Sequence, residues 1–257
     1  MSPSETALIR LLRQWRELGV EEMVLEHSDR RAFLERLAAG GGVPRLMSQG
    51  DAPEVGEERD TEEASAPGSY EALREEALAC TRCRLAQGRT QVVFSDGVRH
   101  ARLMVVGEAP GEHEDRTGRP FVGRAGRLLD LLLASVDLTR EESVYICNVL
   151  KCRPPGNRDP RQDEIESCAP YLLRQIDLVR PEAILAVGTF SGRLLTGMDR
   201  PLGRLRGKVY SYHETPLVVT YHPAALLRNR GWTQAAWDDL QLLRTVLDGS
   251  GETSTLG

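Results

Sequence analysis

The chain has 257 residues, 40% of them hydrophobic, and a formal net charge of -5, which fits one substantial domain plus an appendage and excludes a wholly disordered chain. No apolar run approaches the roughly 20 residues a membrane helix needs, and the opening MSPSETALIR has no basic segment followed by an apolar core, so a cytoplasmic location with no membrane partner is expected. The acidic total argues against nucleic-acid binding only until it is divided: residues 1–70 hold 14 acidic and 8 basic side chains, the remainder 24 and 25. Beyond residue 70 nearly all the bases are arginines, Lys151 and Lys208 being the only lysines, and arginine's planar fork suits phosphate.

Ser2-Pro3-x-Glu5 has the form of a capping box with proline at the first helical position, and Leu8, Leu11, Leu12, Trp15 and Leu18 then share one helical face. A second helical stretch, Asp29 to Ala39, stops at Gly40, Gly41 and Gly42. Residues 1–42 are therefore expected as a helical appendage, and 43–69, rich in Gly, Pro, Ser, Asp and Glu, as a flexible acidic linker. An apolar stripe on a free helix needs a surface to cover it, which makes residues 1–42 a candidate site for a protein partner. The plainer reading is a tethered tail.

The main domain is expected over 70–248, with a loose tail over 249–257. Helix Tyr70 to Ala79 delivers Cys80-x-x-Cys83. Strand-like runs follow at Val92 to Phe94, Leu103 to Val106, Val144 to Cys147, Ile184 to Val187, Val209 to Tyr212 and Leu217 to Tyr221. Between and after them lie helical runs at Gly126 to Val136, Asp163 to Val179, Phe190 to Thr196 and Thr233 to Leu247, with Pro170 expected to break or restart the second. Such alternation predicts an α/β fold, a mostly parallel sheet covered by helices on both faces. Val106 leads into GEAPG, Ile146 into Asn148, Val187 into Gly188-Thr189 and Tyr221 into His222-Pro223. Open parallel sheets bind ligands outside the carboxyl ends of their strands, so these four segments are expected to converge on one pocket.

Of the five cysteines, Cys147 sits inside a strand pattern and reads as a small buried apolar residue. Cys80, Cys83, Cys152 and Cys168 remain. A cytoplasmic setting disfavours a disulfide framework. The first pair has metal-ligand spacing, but the second is separated by fifteen residues, which suits a zinc ribbon poorly and an iron-sulfur cluster better; spacing leaves both open.

The motifs GEAPGEHEDRTGRPFVGRAG at 107–126, NVLKCRPPGNRDP at 148–160, the CxxC at 80–83, Cys168 and YHPAALLR at 221–228 together resemble the family 4 uracil-DNA glycosylases, the iron-sulfur branch of their superfamily, over about Tyr70 to Leu247. The resemblance implies a three-layer α/β/α sandwich around a four-stranded mostly parallel sheet, a monomer, and a [4Fe-4S] cluster on Cys80, Cys83, Cys152 and Cys168. The cluster would pin the loop Arg153 to Asp159, turning Arg153, Asn157 and Arg158 toward the DNA backbone. It also implies excision of uracil from single- or double-stranded DNA, the base being flipped into a pocket. Gly107, Ala109, Phe121, Asn148 and His222 would surround it, with Phe121 as the stacking face, Asn148 donating to O4 and accepting from N3-H, and His222 near O2, its protonation state left open.

Water activation is less plain, because Ala109 stands where another branch has an aspartate. Glu108 and Glu114 are the candidates, with Asp115 third; the competing role for Glu108 is a helix cap. Gly111 offers no wall against a thymine methyl, a task that then falls to Glu114. Arg116, Arg119 and Arg124 are expected on phosphates. The segment from His222 to Arg228 resembles a minor-groove loop with Leu226 or Leu227 as wedge, Ala224 replacing the serine of some relatives. The alternative function is a uracil-DNA capture protein that is trapped covalently through His222. A dinucleotide-binding enzyme fits worst, since GEAPG is not GxGxxG.

Overall fold

The structure, a computed structural model, describes residues 68–249. The expectations for the appendage, for the linker up to residue 67 and for the tail from residue 250 lie outside them.

Ser69 opens the domain by accepting the Ala72 N–H at 3.2 Å, the N-cap of helix α1 (Tyr70–Leu78). A short edge strand β1 (Asp96–Gly97) and then β2 (Leu103–Gly107) follow. Helices α2 (Glu112–Thr117) and α3 (Arg124–Ala134) lead to β3 (Val144–Asn148), α4 (Gln162–Val179) and β4 (Ala183–Val187). The chain closes with α5 (Thr189–Thr196), α6 (Leu202–Leu205), the hairpin β5 (Val209–Tyr212) and β6 (Thr215–Thr220), α7 (Pro223–Arg228) and α8 (Thr233–Leu247).

The sheet order is β1-β3-β2-β4-β6-β5. The four central strands are parallel, as expected, but the sheet has six strands, because β1 and β5 pair antiparallel at its edges. Every residue of β2, β3 and β4 is buried, as a parallel sheet covered on both faces requires. Side chains alternate between two cores. Met104, Val106, Tyr145, Cys147, Ile184 and Ala186 pack with Leu73 of α1 and Tyr171 and Leu172 of α4. Leu103, Val105, Ile146, Leu185 and Val187 pack with Leu129 and Leu133 of α3 and Leu240 and Leu243 of α8.

Two expectations change. Val92 to Phe94 is buried but forms no ladder; Val93 N–H is spent on Lys151 O at 2.8 Å, and the edge is taken two residues later by β1. Pro170 neither breaks nor restarts α4, which runs through it. The proline lies on the exposed side, where the carbonyl it cannot serve faces solvent rather than the core.

Candidate active site

Three of the four strand ends meet in a cleft of about 390 Å³ lined by Glu108, Ala109, Gly111, Glu114, Phe121, Asn148, Arg158, Asp159, His222 and Arg228 among others. The fourth, Gly188-Thr189, does not line it. Gly188 instead backs the histidine: at φ +107°, a side chain there would stand 3.4 Å from His222 Cβ.

Gly107 ends β2 directly beside Asn148 at the end of β3. A methyl group at Gly107 would strike Asn148 Oδ1 and lie 2.6 Å from Phe121 Cζ, so glycine is what lets the amide and the ring face one space. Asn148 is 2% exposed and its Oδ1 is buried without a hydrogen-bond partner. An orphaned buried acceptor is costly unless a ligand satisfies it. Phe121 is buried at φ +54°, a left-handed conformation unusual for a bulky residue. Arg140, which the sequence reading did not single out, holds it there: Nη1 donates to Pro120 O and Nη2 to Phe121 O, both at 3.1 Å. The same guanidinium pairs with Asp96 at 2.6 Å and Asp130 at 2.7 Å.

Glu114 is committed to the same loop. Oε2 accepts Gly111 N–H at 3.1 Å, and Oε1 accepts Val122 N–H at 3.0 Å and Gly123 N–H at 3.1 Å. Both oxygens of Glu114 thus clasp backbone amides. The Gly111-x-x-Glu114 spacing is that of a capping box, a signal present in the sequence. Asp115, the third candidate, is buried and accepts Thr90 N–H at 2.9 Å.

Glu108 caps nothing, since α2 is capped at Gly111. Burial, and next the charge of Asp159, push its carboxyl up to about 7. Asp159 faces Glu108 across the cleft, a role that its place after Arg158 gives no hint of. His222 is the N-cap of α7, and its Nδ1 accepts Ala224 N–H at 3.1 Å, which leaves the ring proton on Nε2. Burial first, and then the Arg228 charge, bring it down to about 4, with Glu114 acting in the opposite sense. The imidazole is neutral, and its ring stands 5.5 Å from that of Phe121 at 28°.

The arginines expected on DNA divide. Arg158 gives its fork to buried Glu164 at 2.6 and 2.9 Å, and Arg153 donates to Asn157 Oδ1 at 2.7 Å, so these three brace their own loop. Arg119 is exposed but paired with Asp96 at 3.0 Å, and Arg116 lies 3.5 Å from Glu112. Arg124 and Arg228 are exposed, the latter at the cleft. Of the two wedge candidates, Leu226 is 3% exposed and packed in the core, whereas Leu227 is half-buried.

Cys80, Cys83, Cys152 and Cys168 line a second cavity between α1, α4 and the loop after β3. Arg89 Nη1 donates to Cys152 Sγ at 3.4 Å and Lys151 N–H to Cys168 Sγ at 3.3 Å. Among the described residues no three thiols, imidazoles or carboxylates close on a single ion. Cys147 is fully buried in the sheet, as its strand position implied.

Residues 94–241 match the family model of the uracil DNA glycosylase superfamily. The chain is 43% identical over 186 residues to a type-4 uracil-DNA glycosylase of Sulfurisphaera tokodaii, covering 69% of this chain and 84% of the relative. It is 45% identical over 162 residues to the type-4 enzyme of Thermotoga maritima, covering 62% and 84%, and 33% identical over 148 residues to a type-5 uracil-DNA glycosylase of Pyrobaculum aerophilum, covering 51% and 65%. By sequence, the chain belongs to the uracil DNA glycosylase superfamily, alongside its type-4 members.

Proposed function

We propose that the chain is a DNA-repair hydrolase that cleaves the N-glycosidic bond of uracil in DNA and leaves an abasic site. The observation that carries this reading is the buried, unpaired Asn148 carboxamide beside the Phe121 ring and the neutral His222 imidazole in one cleft. A flipped uracil stacks on Phe121. Asn148 accepts from N3-H through Oδ1 and donates to O4; cytosine, with an amine at that edge, opposes the donor. His222 donates its Nε2 proton toward O2, a hydrogen bond that strengthens as the departing base gains negative charge. Glu108, with a carboxyl near 7, orients or deprotonates the water that attacks the oxocarbenium-like sugar. Arg124 and Arg228 meet phosphates, and Leu227 supports the gap in the stack.

The four-cysteine cavity fits a [4Fe-4S] cluster. All four thiols line one cavity, and each thiolate of such a cluster would bind its own iron. The surroundings also suit an anionic group, with Arg89 on Cys152 and the buried Lys151 beside Cys168. Bound there, the cluster supplies structure, tying α1 and α4 to the loop whose Arg158 and Asp159 line the cleft. Incubation with single- and double-stranded oligonucleotides containing uracil, cytosine or a T·G mismatch tests the reading: release of uracil without added nucleotide supports it, and no release from any substrate overturns it.

A further inference from the structure

The five residues from Asn148 to Cys152 join the cleft to the cysteine cavity. At one end Val149 N–H donates to Gly107 O and Leu150 N–H to Glu108 O, both at 3.0 Å. At the other, Lys151 N–H donates to Cys168 Sγ at 3.3 Å. The Lys151 side chain turns back into the protein, 2% exposed, where Nζ donates to Asn148 O at 2.7 Å and to Gln175 Oε1 at 2.5 Å. Gln175 is fixed in turn by donating to Phe94 O at 3.2 Å and Tyr145 Oη at 2.7 Å. Among the described residues no carboxylate pairs with Lys151. Burying an ammonium without a counter-charge is costly even when it is hydrogen-bonded. The Lys151 charge acts on the thiols of Cys147 in β3 and of Cys168 in the cysteine cavity, and Lys151 itself lines that cavity.

We propose that Lys151 is a positioning residue that couples the cysteine cavity to Asn148, so that cluster occupancy and uracil binding stabilise each other. The inference rests on the glycosylase reading and on the cluster fitting that cavity. A thiolate cluster supplies the counter-charge that keeps the ammonium on the Asn148 carbonyl, which holds the Asn148 amide toward the base. Emptying the cavity removes that counter-charge and frees the Cys168 sulfur that accepts the Lys151 N–H, and the disturbance passes along Asn148–Cys152 to the cleft. Coupling of this kind is reciprocal in binding free energy: uracil in the cleft stabilises the occupied cavity by as much as the occupied cavity tightens uracil binding.

The test is bleaching of the visible chromophore of the iron-loaded protein by ferricyanide with a chelator, with and without saturating free uracil. In the wild type, uracil is expected to slow bleaching by about fivefold or more, the lower end of ordinary coupling between sites. In Lys151→Met loaded with iron, that protection is expected to disappear, which separates coupling from simple shielding of the cavity. Gln175→Met, which removes one acceptor and keeps the lysine, carries the same comparison where Lys151→Met assembles no chromophore. Equal bleaching rates with and without uracil in the wild type overturn the coupling, as does undiminished protection in Lys151→Met. Equilibrium dialysis with labelled uracil separates the two levels: uracil that binds without protecting refutes the coupling alone, and uracil that does not bind refutes the cleft assignment and the coupling with it.

Discussion

Replacing Gly107 by alanine adds one methyl group at the point where the amide and the aromatic ring of the cleft meet. The backbone tolerates it, because Gly107 is an ordinary strand residue with no left-handed φ. The new Cβ would strike Asn148 Oδ1 and stand 2.6 Å from Phe121 Cζ and 2.8 Å from Cε2. Ordinary contact begins at 3.4 Å, so the ring must retreat by about 0.8 Å and the amide oxygen by more. A misplacement of about 1 Å costs on the order of 10²-fold in rate, equivalent to about 2.7 kcal/mol of barrier. The single-turnover rate of uracil release from a single-stranded oligonucleotide is therefore expected to fall about 100-fold, with the circular dichroism spectrum unchanged. A Gly107→Ala protein that releases uracil within about threefold of the wild-type rate would refute the assignment of this space to the base.

Three further outcomes follow from the same geometry. The excision rate is expected to rise with pH through about 7 as Glu108 loses its proton; Asp159→Asn removes a charge that opposes ionisation and moves this limb to lower pH, whereas Glu114→Gln lowers the rate without moving it. A limb unmoved by Asp159→Asn contradicts the role given to Glu108. Leu226→Ala is expected to cost about 2–5 kcal/mol of stability as a core truncation, while Leu227→Ala spares the thermal midpoint and slows excision from duplex more than from single strands; the reverse pattern would return the wedge to Leu226. Arg140→Gln leaves Asp130 and the Pro120 and Phe121 carbonyls poorly partnered, with an expected loss of about 3 kcal/mol in a denaturant titration. Adding it to Phe121→Ala should cost less activity than adding it to the wild type, because the two residues act through one loop.

The sequence placed the central strands well because a parallel sheet buried on both faces writes itself as short continuous apolar runs, and the turns after three of them carry the cleft. What stayed hidden depends on closure of loops in space. Nothing in the local pattern marks Arg140 as the holder of Phe121, since its partners come from three separate segments, nor Asp159 as the neighbour of Glu108. Leu226 and Leu227 are equivalent in an isolated sequence; only the seating of α7 against α3 turns the first inward. β1 is too short and polar for strand propensity to register, and Pro170 is tolerated because of the face it occupies. Glu114 and Glu164 were legible in principle, each lying three residues beyond the residue that caps its helix. Both clasp backbone amides, a task that competes with catalysis.

The central claim is that the Asn148 cleft reads uracil and that the bond is hydrolysed. It is tested most directly by incubating the iron-loaded wild type and Asn148→Ala with a uracil-containing oligonucleotide, then measuring free uracil, alkali-labile sites and DNA retained on the protein in a denaturing gel. Free uracil and abasic sites are expected in equal amounts from the wild type, with no retained DNA, and little of either product from a folded Asn148→Ala. Wild-type turnover in Asn148→Ala, or DNA that stays on the denatured protein and is lost in His222→Ala, would contradict it.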